Sequence, residues 1–350
     1  MAENYPRITQ FLLGAASFVV IVIGMQMAES ILVPFLLALF LAVISASPFF
    51  WLKRHKVPSW LAMLLVLLVV IGFMAGITLL VGNSVNQFLN QVPRYQERLM
   101  EQTRDLVVFL KELGFDITFD AVTEFFNPGT IMQLSANALQ TLSSVLTNVF
   151  LILMMVIIMM IESLSLPDKM RAALKNPQPY LDFIEKFNDT IEHYMLMKTT
   201  LNLITGILVA VLLSVLGVDF PILWGVFAFL LNYIPNFGSI IASVPAILLA
   251  WVDGGLGVAA GTGIGYIVIN GVMGNFIEPR FMGRTMGLSI LVVFLSLVFW
   301  NWVLGPVGML LSVPLTMTFK IALEASPQTR WIAILLDDKA PDQAEISEIE

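Results

Sequence analysis

Apolar residues run through this chain in long blocks separated by short polar punctuation. A helix needs about 20 predominantly apolar residues to cross about 30 Å of hydrocarbon. Blocks of that kind fall at 11–28, 31–50, 60–82, 143–162, 199–217, 255–276, 286–303 and 305–324. Two further apolar pieces, 221–234 and 239–252, are shorter, and they flank the break "NYIPNFG". The pattern predicts an all-α polytopic membrane protein with about eight transmembrane helices and one re-entrant helical hairpin at 221–252. Ten full crossings would satisfy the same charge cues, and only the shortness of the two pieces favours the hairpin. The first block has one preceding arginine, Arg7, and no small-residue cleavage site, so it is expected to be a retained helix.

Between the blocks lie two amphipathic stretches. In 83–142, Val85, Phe88, Leu89, Val92, Leu99, Leu106, Leu110 and Leu113 recur near helical spacing, with charge on the intervening positions. Gly114 ends that helix, and Asn127 with Pro128 is expected to start another that runs on into the span at 143. In 163–198, Leu181, Ile184, Phe187, Ile191 and Tyr194 fall on one face. Each stretch is read as lying on the membrane surface or against its own bundle, or else as a docking face for a partner.

Lysine and arginine favour the cytoplasmic side in short loops. Lys53, Arg54 and Lys56, the lysines and arginine of 163–198, and Arg280 and Arg284 all fall on one side under this topology. The expected organisation is therefore transmembrane helices in 1–82, an outer-face helical insertion at 83–142 and a span at 143–162. A cytoplasmic segment at 163–198, a C-terminal bundle at 199–324 and an acidic cytoplasmic tail at 325–350 complete it. Both termini are expected to be cytoplasmic, and Asp219 and Asp253 to share the outer surface.

Composition agrees with a lipid environment. Hydrophobic residues make up 58% of the chain and charged ones 12%, against about 45–50% and about 25% in soluble domains. There is no cysteine, which excludes disulfides, thiol catalysis and cysteine-ligated metal, and the net charge of −7 makes nucleic acid an unexpected partner. His55 and His193 are the only histidines, so neither a paired-histidine metal site nor a serine-type triad can be assembled. With no phosphate-binding G-x-x-x-x-G-K-[ST] motif either, neither an enzyme nor a primary pump is expected, and no cofactor.

Candidate chemistry concentrates in two places. Pro235 and Gly238 break the helix where Asn232, Tyr233 and Asn236 supply donors and acceptors, the kind of discontinuity at which secondary transporters bind cargo. The alternative for this stretch is a short polar loop joining two tilted spans at the inner surface. Asn270 and Asn275 follow, with Glu278 and Arg280 as a gate or coupling pair or an interfacial anchor, and Asn202 is a further polar residue within a span. Gly257, Gly261 and Gly265 form a ridge for close helix packing, and Lys320 with Glu324 reads as a local ion pair.

"NYIPNFGSIIASVP", "GNFIEPRFMGRTMGLSILVVFLSLVFWNWVLGPVGMLLSVPL" and "ILVPFLLALFLAVI" resemble the autoinducer-2 exporter family of bacterial inner-membrane proteins over nearly the whole chain, and most nearly its branch for transport of quorum signal A. Pro235, Gly238, Glu278, Pro279, Gly305, Gly308 and Pro314 are the positions that match. The resemblance implies a secondary transporter or facilitator that exports autoinducer-2, a small polyhydroxylated quorum-sensing signal, and a homo-oligomer, possibly pentameric. Some family members carry sodium or lithium against protons, so a cation/proton antiporter with Glu278 as its titrating group is the rival. An envelope structural or docking protein using 83–142 is the third reading.

Overall fold

The computed structural model describes residues 7–115, 118–119, 127–235, 237–282, 287–326 and 328–338. Those residues are helical apart from short turns: α1 (Arg7–Met27), α2 (Glu29–Arg54), α3 (Ser59–Glu112), α4 (Pro128–Thr147), α5 (Val149–Ala173), α6 (Gln178–Val215), α7 (Pro221–Leu231) and α8 (Gly238–Val272). A π turn (Met273–Ile277), α9 (Glu278–Met282), α10 (Ile290–Leu310), α11 (Ser312–Glu324) and α12 (Arg330–Leu336) follow. Six helices among the described residues are long and apolar enough to cross a membrane, and Leu12–Met27 and Pro221–Leu231 are shorter apolar helices. The protein is a polytopic, all-helical membrane protein.

Several predicted boundaries fall where local chemistry put them. Gly114, at a φ of 93°, ends α3. The side chain of Asn127 accepts from the Thr130 N–H at 3.2 Å to start α4. Other boundaries differ. The helix begun at Pro128 does not run into the span unbroken, because α5 starts afresh at Val149. The block 305–324 is divided at Leu311 between α10 and α11, while Gly305, with a φ of 62°, kinks α10 at the predicted junction. The amphipathic stretches are not separate helices: 83–112 continues the span in α3, and 178–198 leads straight into the span in α6.

The chain divides into two compact units. The first comprises residues 1–46, 151–192 and 286–350. In it Gln26 donates to the Trp302 carbonyl at 2.8 Å, and Phe18 stacks on Phe299 at 6.2 Å, joining α1 to α10. Lys320 of α11 is 8% exposed; it bonds the Asp337 carboxylate and the Gly287 carbonyl, each at 2.6 Å, and lies 3.7 Å from Glu324 as the sequence predicts. Glu324 also pairs with Lys186 at 2.6 Å. Burial pushes the Asp337 carboxyl up, but the hydrogen bond and charge of Lys320 outweigh it and hold that carboxyl below its ordinary range.

The second unit comprises residues 47–150 and 193–285. Its core is built on Val81, Val85, Phe88, Val92, Tyr95 and Leu99 of α3, whose alternating steps of four and three match a heptad seam. Met132, Ala136 and Leu139 of α4 and Trp224, Leu249 and Tyr266 of α7 and α8 close over it. Past Leu99 the buried positions are Thr103 and Val107, whereas Leu113 is 60% exposed. Thr103 tolerates burial because its hydroxyl donates to the Leu99 carbonyl at 2.6 Å. The expected apolar face, followed through Leu106 and Leu110, had stepped off this register.

Candidate functional site

The hairpin is held at both ends, at its base by α3 and at its tip by α6, through contacts that lie within the second unit. At its base the Asp219 N–H donates to the Asp253 carboxylate at 2.9 Å, and the Tyr95 hydroxyl donates to Asp219 at 3.0 Å. The two aspartates therefore share one end of the bundle, as charge patterning predicts. Phe220 takes the left-handed conformation, φ 55°, and Pro221 then starts α7. The returning arm is α8 as far as Gly255, whose φ of 73° breaks it. The second half of α8 corresponds to the predicted span 255–276.

Between the arms, the tip needs glycine for want of room. A Cβ on Gly238 would collide with the Leu231 carbonyl, so the turn that folds α8 back beside α7 closes only there. Ile234 of the tip is buried. The hydroxyls of Tyr233 and Thr199 lie 2.6 Å apart, tying the tip to α6. Next to Thr199, Lys198 donates to the Glu278 carboxylate at 2.6 Å, with side-chain exposures of 6% and 25%. Tyr194, one turn earlier, lies within electrostatic reach of both Glu278 and Tyr233.

Glycine contacts set the register of the bundle. A Cβ on Gly206 would come within 2.6 Å of the Gly225 carbonyl, and one on Gly225 within 2.6 Å of that of Gly206, so α6 and α7 touch backbone to backbone. A Cβ on Gly265 would collide with the Leu212 side chain, and one on Gly261 would lie 3.7 Å from that of Leu216. Together with the Lys198–Glu278 pair, these contacts form an antiparallel ladder along α6 and the second half of α8. Asn202, one turn beyond Lys198, consequently stands level with the π turn, a distortion often found at working sites.

The predicted site residues thus have different fates. Asn202 is 3% exposed and its amide nitrogen has no hydrogen-bond partner among the described residues. Asn232, Tyr233, Pro235 and Gly238 form the tip. Asn236 lies outside the described residues. Asn270 donates to the Tyr266 carbonyl of its own helix at 2.8 Å, and Asn275 is exposed. Glu278 is joined to Lys198; Arg280 is exposed and has no ion pair among the described residues. Of the glycine ridge, Gly261 and Gly265 meet α6, while a Cβ on Gly257 would meet open space.

Sequence reasoning passed over Lys198, Thr199, Trp224, Thr262 and Tyr266, and placed Tyr194 only on an amphipathic face. Trp224, Thr262, Tyr266 and Tyr194 are buried, each with a polar atom that finds no partner among the described residues. A buried unsatisfied group costs about 1–3 kcal/mol, so this concentration in one unit marks a place built for hydrogen bonding. One signal was available: Tyr194, Lys198 and Asn202 recur every four residues on the face that buries Ile191, Leu201 and Val209.

The model of the AI-2E family transporters matches residues 15–328. The chain belongs to this family. It is 40% identical to the AI-2 transport protein TqsA of Escherichia coli K12, over 91% of this chain and 93% of that one. It is also 40% identical to a putative transport protein of Haemophilus influenzae, over 96% and 98% of the two chains. A third relative, the putative transport protein YhhT of Escherichia coli K12, is 36% identical over 94% and 95%. This AI-2E transporter therefore carries its hairpin, its tip and its buried pair inside the matched region.

Proposed function

We propose that this AI-2E transporter exports autoinducer-2 or similar small, polyhydroxylated solutes across the bacterial inner membrane, with the hairpin tip as the inner gate. The observation that carries the gate is the double closure of the tip end, where Tyr233 bonds Thr199 and Lys198 bonds Glu278 side by side on α6. In this reading Lys198, Glu278 and the termini face the cytoplasm, and Asp219 with Asp253 faces outward. The hairpin is re-entrant in that both arms start and finish at the aspartate end. The paired charges neutralise each other, which leaves amides and hydroxyls to meet an uncharged cargo. The resemblance that implies a homo-oligomer fits a protein with many large apolar side chains on its surface, such as Trp60, Phe150 and Ile290.

The same pair supports the rival reading. A lysine 5% exposed and matched to one carboxylate can alternate with a transported cation or proton. Efflux from proteoliposomes loaded with autoinducer-2, with and without a proton gradient and against a sodium control, separates the two. Release of the signal independent of cations is the expected result. Cation-coupled proton movement without signal release would replace the exporter by the antiporter.

A further inference from the structure

We propose that the second unit encloses a hydrogen-bonding track for an uncharged, oxygen-rich solute, running along α6 inside a single protomer and marked by Tyr194, Asn202, Trp224, Tyr266 and Thr262. The proposal rests on the reading of the chain as a carrier of small polar solutes, and adds where the route lies and what recognises the cargo. Each of the five is at most 3% exposed, and the Tyr194, Tyr266 and Thr262 hydroxyls, the Asn202 amide nitrogen and the Trp224 indole nitrogen have no partner among the described residues.

Their order along the bundle follows from the helix register. Tyr194 and Asn202 lie on α6 itself, two turns apart with Lys198 between them. Trp224 adjoins the contact of Gly225 with Gly206, which places it further along α6. The pairing of Gly265 with Leu212 puts Tyr266 within a turn of Val211, and that of Gly261 with Leu216 puts Thr262 within a turn of Val215. At about 1.5 Å per residue, Tyr194 to the level of Val215 covers about 30 Å, which matches the hydrocarbon thickness. The unsatisfied groups are therefore spread from the Lys198–Glu278 end towards the Asp219–Asp253 end rather than gathered in one spot.

Their chemistry selects the occupant. An indole N–H and an amide NH2 only donate, and hydroxyls donate or accept. A row of this kind satisfies ether, hydroxyl and carbonyl oxygens, and it offers a bare cation no anionic oxygen between the ends. The track thus favours a polyol over sodium or lithium. Water can hydrate the same groups between solute molecules.

The chain has no cysteine, so single cysteines report local access without background. Asn202→Cys and Thr262→Cys, reconstituted in proteoliposomes, are treated with a small water-soluble methanethiosulfonate, with Leu213→Cys as a control at a fully buried apolar position of α6. Both track positions are expected to react at least about tenfold faster than the control and to be protected by autoinducer-2. Thr262→Val, which keeps the side-chain shape, is expected to slow autoinducer-2 efflux about tenfold, the scale of one lost hydrogen bond. Both cysteines as inert as the control, or unchanged efflux in Thr262→Val, would overturn the track. Autoinducer-2 efflux with both positions inert leaves the cargo standing and removes the track; labelling of both in a protein that releases no autoinducer-2 leaves the track standing and removes the cargo.

Discussion

Neutralising Glu278 tests the gate most directly. Glu278→Gln keeps shape and removes charge, leaving the Lys198 ammonium, whose side chain is 6% exposed, without its counter-ion. Breaking a buried pair from one side costs about 3–5 kcal/mol. Lys198→Met strands the carboxylate instead, but the Glu278 side chain is 25% exposed and can turn to water, so a smaller loss of about 1–3 kcal/mol is expected. If the pair holds the tip shut, a loss of about 3 kcal/mol shifts the open-to-closed ratio about a hundredfold. The assay has two arms: the thermal midpoint in detergent, and passive leak of a small polyol from proteoliposomes. Glu278→Gln should lower the midpoint more than Lys198→Met, and both should raise leak. The double variant Lys198→Met/Glu278→Leu separates structure from gating, since apolar replacement of a whole buried pair is often neutral or stabilising. Its midpoint should recover while its leak stays high. A Glu278→Gln protein with wild-type midpoint and wild-type leak would show that the pair neither stabilises the fold nor holds the tip shut.

Tyr233→Phe removes the 2.6 Å contact with Thr199 at a cost of about 1 kcal/mol; it should raise polyol leak about fivefold with little change in thermal midpoint. Gly225→Ala brings a methyl within 2.6 Å of the Gly206 carbonyl and 2.8 Å of the Ala210 Cβ and should destabilise by about 1–3 kcal/mol, whereas Gly257→Ala, facing open space, should leave the midpoint unchanged or slightly raised. Asp337 has a folded-state pKa below its unfolded value, so its stabilisation is present above the ordinary carboxylate range and is lost as pH falls through the folded value. Asp337→Asn should accordingly lower the midpoint at neutral pH and match wild type in strong acid; a constant difference across that range would contradict the assignment.

What the sequence revealed was chiefly local. Gly114 announced a break because a positive φ is a property of one residue, and Asn127 announced a cap because its acceptor reaches a neighbour three residues on. The partner of Glu278 was hidden because Lys198 lies 80 residues away, and in sequence it counts only as another positive charge on the inner side. Arg280, two residues from Glu278, looked the better match, yet it sits on the exposed side of its short helix. Thr262 and Tyr266 were hidden differently: inside "GTGIGY" the glycines dominate the pattern, and only packing shows that the two polar residues beside them are buried.

The shortness of the hairpin also takes on a different meaning once its partners are known. With 11 residues, α7 is about 16 Å long, about half of a lipid-facing span. Length is set by hydrocarbon, however, only where a helix meets hydrocarbon. Leu223, Trp224, Gly225, Phe227, Ala228 and Phe229 are all buried in protein, and the arm is fixed at one end by Asp219 and Asp253 and at the other by Tyr233 against Thr199. Its extent therefore follows the α6 segment it packs on, through the Gly206–Gly225 contact. A broken backbone is tolerable at such a tip because Ile234 and Gly238 are buried in protein and Tyr233 is tied to Thr199. The same packing places Tyr233 beside the buried charge pair, so the feature that looked like an incomplete span is what brings the proposed gate residues together.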